Sequence, residues 1–145
     1  MNALKGWGSL LICLALTLLL GGVCAAETAQ DVTAACKVKT SEGKASRFLD
    51  EKISSSWGYE SPNATIKLEL PSDAVPGALM IKWKFDPTGY LIEEYDADQN
   101  LLASRDQTCT FPNISSYYTL DVRTRYVTLT MTAMDQRIST LRVYS

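Results

Sequence analysis

The sequence predicts an all-β domain, an antiparallel β-sandwich of the jelly-roll kind, that follows an N-terminal leader. Three observations favour this class. Apolar and polar residues alternate with period two through most of the chain after Val32. Clusters of turn-forming residues separate these stretches at short intervals. Only Ser46 to Asp50 suggests a helical turn, so the crossover helices that a parallel sheet requires are not expected.

The first 26 residues have the layout of a secretory signal peptide. Lys5 precedes the apolar run SLLICLALTLLL, and the small residues GGVCAA follow it. The run is shorter than the roughly 20 residues needed to cross a bilayer. We predict cleavage after Ala25 or Ala26, which leaves residues 27–145 as one secreted or cell-surface-associated domain. A lipid anchor at Cys24 is the alternative, and Val23 is a poor fit to the small residue that lipoprotein processing prefers.

Eight short strands are predicted after the leader. The stretch GALMIKWKF is the clearest. Its alternation predicts one face with Leu79, Ile81, Trp83 and Phe85 and an opposite face with Met80, Lys82 and Lys84. Ile66 and Leu68 alternate with charged residues in the same way. The expected strands lie near residues 32–39, 66–70, 79–85, 90–95, 100–105, 117–122, 125–133 and 139–144.

The turn between the fourth and fifth of these strands resembles a calcium loop at first reading. Residues 96–100, Asp-Ala-Asp-Gln-Asn, copy the first oxygen positions of an EF-hand. The sixth and twelfth positions, which require glycine and glutamate, hold Leu101 and Gln107. We therefore predict an ordinary hairpin turn here, since Asp and Asn favour the left-handed conformations that such turns use.

Charge argues against a polyanionic partner, and the cysteines leave two arrangements open. Removing Lys5 with the leader changes 14 basic and 16 acidic residues to 13 and 16, a net charge of −3, so nucleic acid is not an expected partner. Cys36 and Cys109 remain after cleavage. A disulfide between them would close a loop of roughly 70 residues and contribute about 4 kcal/mol. Two separately buried thiols are the alternative.

Composition also argues against catalysis. The chain has no histidine, which excludes Ser-His or Cys-His activation of a nucleophile and a His-ligated zinc site. Glu93 and Glu94 are adjacent, but neighbours on a strand point to opposite faces, so they do not form a carboxylate pair. We expect the protein not to be an enzyme.

One segment near the N-terminus of the domain carries a family resemblance. Residues 45–57 resemble the signature of the discoidin, or coagulation-factor type C, family, in which an alanine, a Leu-x-Asp-Gly turn, a threonine and a tryptophan follow at fixed spacing. In this chain Leu49 precedes Asp50 by one residue instead of two, Ser55 replaces the threonine, and Trp57 lies seven residues after Asp50. The resemblance implies a galactose-binding-like jelly roll.

Two further features extend the resemblance. The run from Ile81 through Pro87 and Ile92 to Tyr95 is similar to the middle strands and hairpin of this family. The arrangement is also similar, more narrowly, to the module that precedes PIG-L type deacetylase domains in secreted clostridial proteins.

The resemblance implies a structural calcium near the acidic turn, with Asp50 and Ser55 as candidate ligands. Glu51 replaces the usual glycine, and Lys52 places an ammonium where a ligand is expected, which disfavours the metal. We instead expect the Asp50 carboxylate to accept backbone N–H groups or to pair with Lys52 and so fix the turn. No cofactor is expected.

The expected function is a secreted, non-catalytic module that binds carbohydrate or a cell-surface glycan. Aromatic planes match the apolar face of a sugar, and charged or amide side chains match its hydroxyl groups. The resemblance implies that contacts come from loops at one end of the sandwich, and ordinary core or surface placement is the alternative for each candidate. The candidates are Trp57, Tyr59, Tyr90, Tyr117, Tyr118, Asp135 and Arg137. The alternative function is a structural accessory domain that packs against or spaces a neighbouring catalytic domain.

Overall fold

The protein is an almost entirely β structure in two antiparallel sheets. The computed structural model describes residues 28–50, 52, 55–58, 61, 63–84, 89–108, 115–132 and 137–145. The leader therefore lies outside the described residues. The elements are a 3-10 turn (Thr33–Ala35), β1 (Lys37–Thr40), helix α1 (Ser46–Leu49), β2 (Trp57–Gly58), β3 (Thr65–Glu69), β4 (Ala78–Trp83), β5 (Tyr90–Tyr95), β6 (Leu101–Gln107), β7 (Ser115–Thr119), β8 (Tyr126–Met131) and β9 (Arg137–Tyr144).

The two sheets form a sandwich, which confirms the predicted fold class. One sheet has five strands in the order β1-β3-β8-β5-β6, and the other has four in the order β2-β9-β4-β7. All pairings between neighbouring strands are antiparallel. Each predicted strand has a counterpart, and the helical turn at Ser46 is confirmed as α1. Strand β2 was missed because two residues are too few to display a period-two pattern.

The first predicted strand begins later than the sequence indicated. Asp31 accepts a hydrogen bond from the Thr33 N–H through its carboxylate at 2.9 Å, and Cys36 N–H donates to the Thr33 carbonyl at 3.1 Å. These bonds close a tight turn over Thr33–Ala35. Local side-chain bonding by an aspartate competes with the extended conformation, so β1 starts only at Lys37.

The core lies between the facing surfaces of the two sheets. Leu79, Ile81 and Trp83 of β4 are fully buried on the face that their alternation predicted. Ile66 and Leu68 of β3 are buried on the facing sheet. Burying a large apolar side chain contributes roughly 1.5–3 kcal/mol, so these alternating positions hold the sheets together.

The β5–β6 turn is the hairpin that the sequence predicted. The Asp96 carboxylate accepts hydrogen bonds from the N–H groups of Asp98 and Asn100, both at 2.9 Å. The left-handed conformation that the turn requires falls on Gln99, at a φ of 66°. The oxygen-rich side chains thus bind the turn's own backbone.

Cys36 is a free thiol in the structure, so it does not form the disulfide that the sequence offered as one of two arrangements. Its sulfur donates to the Val32 carbonyl at 3.5 Å, and its expected partner Cys109 lies outside the described residues. Burial, together with the nearby Asp31 carboxylate, raises the pKa of the Cys36 thiol to about 11. A half-buried, locally bonded thiol is poorly disposed to react.

Within the described part of the chain, no helix has the length and apolar character needed to span a membrane.

Candidate functional site

Trp57, the aromatic residue of the family-like signature, belongs to the core. Its side chain is 0% exposed, and its indole N–H donates to the Glu42 carbonyl at 2.7 Å. The Phe48 ring of α1 packs edge-on against it, with ring centroids 6.2 Å apart. The interpretation of Trp57 as a core residue is thus correct, and its place among the sugar-binding candidates was wrong, because neither face of the indole is accessible.

Tyr90 is likewise a core residue and cannot be a surface platform. It is 1% exposed, and its ring lies 4.8 Å from the ring of Trp83. Its hydroxyl hydrogen-bonds the hydroxyl of Tyr118, which is partly buried on β7. This contact joins the five-stranded sheet to the four-stranded sheet. The position of Tyr90 after a turn predicted a sugar contact at the surface. That prediction is wrong, because the side chain points into the core.

Two of the remaining candidates are exposed but far apart in the sheet. Tyr117 is 64% exposed on the outer face of β7, where its ring centroid lies 6.5 Å from that of Tyr144. Arg137 is exposed at the start of β9, opposite Gly58 of β2. Strands β2 and β7 form opposite edges of the four-stranded sheet. Tyr59 and Asp135 lie outside the described residues.

The fold nevertheless gathers several loops at one end. The antiparallel arrangement places the connections after β4, β6 and β8 at the same end of the sandwich, and their central residues lie outside the described part. The described rim includes Lys84, whose N–H donates to the Arg137 carbonyl at 2.7 Å, and Gly89, whose carbonyl accepts from Thr132 at 3.1 Å. A Cβ at Gly89 would approach the Thr132 hydroxyl to 2.5 Å, so only glycine fits there without a shift. We define the described residues that border these connections, 84, 89, 107, 108, 115, 132 and 137, as the loop end.

The acidic turn at Asp50 uses its oxygens internally. The Asp50 carboxylate accepts hydrogen bonds from the Lys52 N–H at 3.0 Å and from the Ser55 hydroxyl at 2.6 Å, and the Ser55 oxygen lies 2.9 Å from the Arg47 carbonyl. The Ser55 bond is the main cause that lowers the pKa of Asp50. These contacts are those expected of a carboxylate that fixes a turn.

The described residues of this turn disfavour a calcium ion, because the Asp50 and Ser55 oxygens are already engaged in hydrogen bonds. Calcium takes about six to eight oxygen ligands, several of them carboxylate. No group of three or more acidic, histidine or cysteine side chains able to hold a metal occurs in the described residues. The Arg142 guanidinium is almost completely buried beside the helix that precedes the turn, where it donates to the Phe48 carbonyl at 3.5 Å. A buried guanidinium opposes a divalent cation nearby.

A groove crosses the outer face of the five-stranded sheet, and no local sequence pattern predicts it. It has a volume of about 540 Å³. Side chains on alternate positions of four strands line it, because residues two apart on a strand share a face. Its outward-facing side chains are Lys37, Lys39, Thr65, Lys67, Glu69, Glu93, Tyr95, Tyr126 and Thr128.

The strand register arranges these side chains in two transverse rows. The first row runs Lys37, Glu69, Tyr126, Tyr95, and the second runs Lys39, Lys67, Thr128, Glu93. Adjacent members of a row are about 4.8 Å apart, the spacing of neighbouring strands. The period-two alternation of β3 placed Lys67 and Glu69 on the outer face, but the partners of each residue depend on strand order.

The charges in the groove are not evenly distributed. Lys37 pairs with Glu69 at 3.0 Å, and Glu69 also pairs with Arg125 at 3.0 Å. Among the described residues, neither Lys39 nor Lys67 has a carboxylate at ion-pair distance. Lys39 and Lys67 lie directly opposite each other in the β1–β3 register. Like charges placed directly opposite each other destabilise a sheet, so the Lys39–Lys67 pair does not stabilise the fold.

Neither a family model nor a curated protein matches the chain. Solved structures do match it. The family 32 carbohydrate-binding module of C. perfringens NanJ, solved with galactose, is 14% identical with a TM-score of 0.63, over 81% of this chain and 100% of that chain. The corresponding module of AlyQ, solved with 4,5-unsaturated mannuronic acid, is 16% identical with a TM-score of 0.63, over 80% and 97%.

A third match is a fucose-binding module of Streptococcus pneumoniae, 12% identical with a TM-score of 0.62, over 81% of this chain and 96% of that chain. At these identities the likeness establishes the fold. The antiparallel β-sandwich that the sequence predicted is thus confirmed, whereas the resemblance to the discoidin family and the narrower likeness to a module beside a PIG-L type deacetylase stay predictions.

Proposed function

We propose that this protein is a non-catalytic carbohydrate-binding module. The observation that carries the proposal is the extent of the structural likeness. The chain aligns with nearly the whole length of modules whose descriptions name galactose, an unsaturated mannuronic acid and fucose. Fold alone does not determine function, so the proposal also depends on surfaces of this chain that suit a sugar.

Two such surfaces support it. The loop end brings together the connections where the resemblance locates sugar contacts, and Arg137 stands exposed on its rim. The groove of the five-stranded sheet combines two tyrosine rings with hydroxyl, ammonium and carboxylate groups. Aromatic faces and a few polar groups are the usual constituents of a ligand site.

The chemistry available in the chain supports a role without catalysis. The sequence has no histidine, and Glu94, the most deeply buried carboxylate among the described residues, is occupied by structural bonds. It pairs with Arg105 and accepts hydrogen bonds from the Asp121 N–H at 2.8 Å and the Thr124 hydroxyl at 2.7 Å. A carboxylate so completely engaged is unsuited to proton transfer. We further propose that the module acts outside the cell, as its leader predicts.

A glycan array tests the function directly. The full chain, fluorescently labelled, should bind a subset of immobilised neutral or acidic glycans, and the binding should compete with the free sugar. Hydrolysis products should be absent after long incubation with each bound glycan. Failure to bind any member of a diverse array, with a chain shown to be folded by its tryptophan fluorescence, would contradict the proposal.

A second candidate is a structural role beside a catalytic domain. A structure of truncated AlyQ, described as containing a family 32 module and alginate lyase domains, matches this chain over 81% of its length and 34% of that chain. Exposed apolar side chains at Tyr117, Val75 and Val122 would suit contact with a neighbouring domain. A folded chain that binds no glycan but stabilises an attached enzyme would favour this role, and a deacetylase of the PIG-L type is one such enzyme.

A further inference from the structure

We propose that the groove on the five-stranded sheet binds the uronic acid units of an acidic polysaccharide. The carboxylate of the sugar would lie between Lys39 and Lys67, and its ring would lie against Tyr126 and Tyr95. This inference rests on the proposed function and adds a site and a ligand class to it. The site is separate from the loop end, because it lies on the sheet face.

The two lysines without an ion-pair partner indicate where the carboxylate of the sugar would bind. Lys39 and Lys67 face each other across β1 and β3 without a carboxylate partner in the described residues. Two ammonium groups at this spacing repel each other. A carboxylate bound between them would replace that repulsion with two charge-assisted hydrogen bonds, which are roughly twice as strong as neutral ones.

The net charge of the side chains that line the groove favours an anionic ligand. Its lining contains three lysines against two glutamates, although the whole chain has a net charge of −2. Glu69 is neutralised by Lys37 and Arg125, so its charge does not offset the free lysine pair. The lysine side of the groove is therefore cationic on an acidic protein, so it can attract a polyanion that the net charge of the whole chain repels. An anionic ligand is attracted to that side and a neutral one is not.

The remaining groups identify the anion as a sugar. Tyr126 and Tyr95 lie directly opposite each other in the neighbouring row and offer aromatic faces. Thr128 and Glu93 continue the lysine row and can exchange hydrogen bonds with hydroxyl groups. Burial, then the hydrogen bond and charge of Glu93, raise the pKa of Tyr95. A small inorganic anion would use the lysines and leave the rest of the groove unused.

The dimensions suit more than one sugar unit. Lys67 and Glu93 are separated by two strand spacings, or about 10 Å. If Lys67 contacts the carboxylate of one sugar unit, Glu93 is placed to contact hydroxyl groups of the next unit of the polysaccharide. The groove is open along the sheet, so a polysaccharide can pass through it without a free end.

Calorimetry with the full chain tests the proposal, using oligosaccharides of polygalacturonate as the probe. Their methyl esters are the matched ligand control, because esterification removes the charge and keeps the ring. We expect binding to the acid form, and binding at least about 10-fold weaker to the ester, since the charge-assisted bonds are lost. The double variant Lys39→Gln/Lys67→Gln should lose affinity by a similar factor. The control Lys44→Gln/Lys82→Gln, with the same change in net charge away from the groove, should bind as the original chain does.

A charge reversal separates binding from folding. Lys67→Glu converts the opposed lysines to an ion pair, so the variant should melt at the same or a higher temperature while polygalacturonate binding is lost. Equal affinity for acid and ester, unchanged affinity in the double glutamine variant, or binding of heparin without polygalacturonate would each overturn the proposal. Neutral glycans bound equally by all variants would then leave the proposed function standing, whereas a folded chain that binds neither class would remove both.

Discussion

Replacing Trp57 with alanine is the most informative single test of how the signature segment works. The side chain is 0% exposed and packs against Phe48, and its indole N–H is bonded to Glu42. Truncating a buried tryptophan costs about 3–5 kcal/mol. A domain of about 120 residues loses roughly 4 °C in melting temperature per kcal/mol, so we expect Trp57→Ala to melt roughly 12–20 °C lower.

The contributions of packing and hydrogen bonding are separable. Trp57→Phe keeps most of the ring and removes the donor to the Glu42 carbonyl, so it should cost about 1–3 kcal/mol. Tyr117→Ala is the matched aromatic control, because Tyr117 is 64% exposed and its truncation should change the free energy of unfolding by less than about 0.5 kcal/mol. Urea denaturation followed by fluorescence measures all three variants.

The result that would refute this reasoning is a Trp57→Ala variant whose melting temperature falls by no more than Tyr117→Ala while glycan binding disappears. The indole would then be a ligand platform and not a core residue.

Three further predictions follow from buried or shifted groups. Glu94→Ala should lower the free energy of unfolding by about 3 kcal/mol, because it leaves the buried Thr124 hydroxyl and the Asp121 N–H without their acceptor, and Glu94→Gln should lose less in the same urea titration. At pH 8, Cys36 should react with iodoacetamide about 100-fold more slowly in the folded chain than in urea, since its pKa of about 11 leaves little thiolate. Peptide mass spectrometry measures the labelling of Cys36 separately from that of the other cysteines. Equal rates in the folded chain and in urea would contradict its burial. Hydrogen bonds from Arg123 lower the pKa of Asp121 to about 2, so the stabilisation is present above the usual value of 3.8 and is lost as the pH falls to 2. Asp121→Asn should flatten the dependence of stability on pH in that window.

The positions of the strands and the faces to which their side chains point could be predicted from the local sequence pattern. Alternation over residues 78–83 predicted the burial of Leu79, Ile81 and Trp83, although Met80 on the opposite face is buried as well. Turn chemistry at residues 96–100 predicted the β5–β6 hairpin. Both are short-range effects, because adjacent side chains on a strand must point to opposite faces. Short-range competition also explains the misplaced start of β1, where the Asp31 side chain bonds a neighbouring backbone group.

The aromatic candidates show where local pattern stops being sufficient. A tyrosine after a turn is equally compatible with core and surface, and Tyr90 is buried because Trp83 and Tyr118 of the other sheet pack against it. Tyr117 is exposed because β7 is an edge strand whose outer face has no layer above it.

The class of fold, the faces of the long strands and the lack of histidine-based chemistry follow from the amino-acid sequence, because each depends on composition or on neighbours along the chain. Which strands lie side by side becomes known from the three-dimensional arrangement. That order opposes Lys39 to Lys67 and Tyr126 to Tyr95, although these residues are 28 and 31 positions apart in sequence. Strand order is set by the burial of all inward faces together, and no local pattern contains that information.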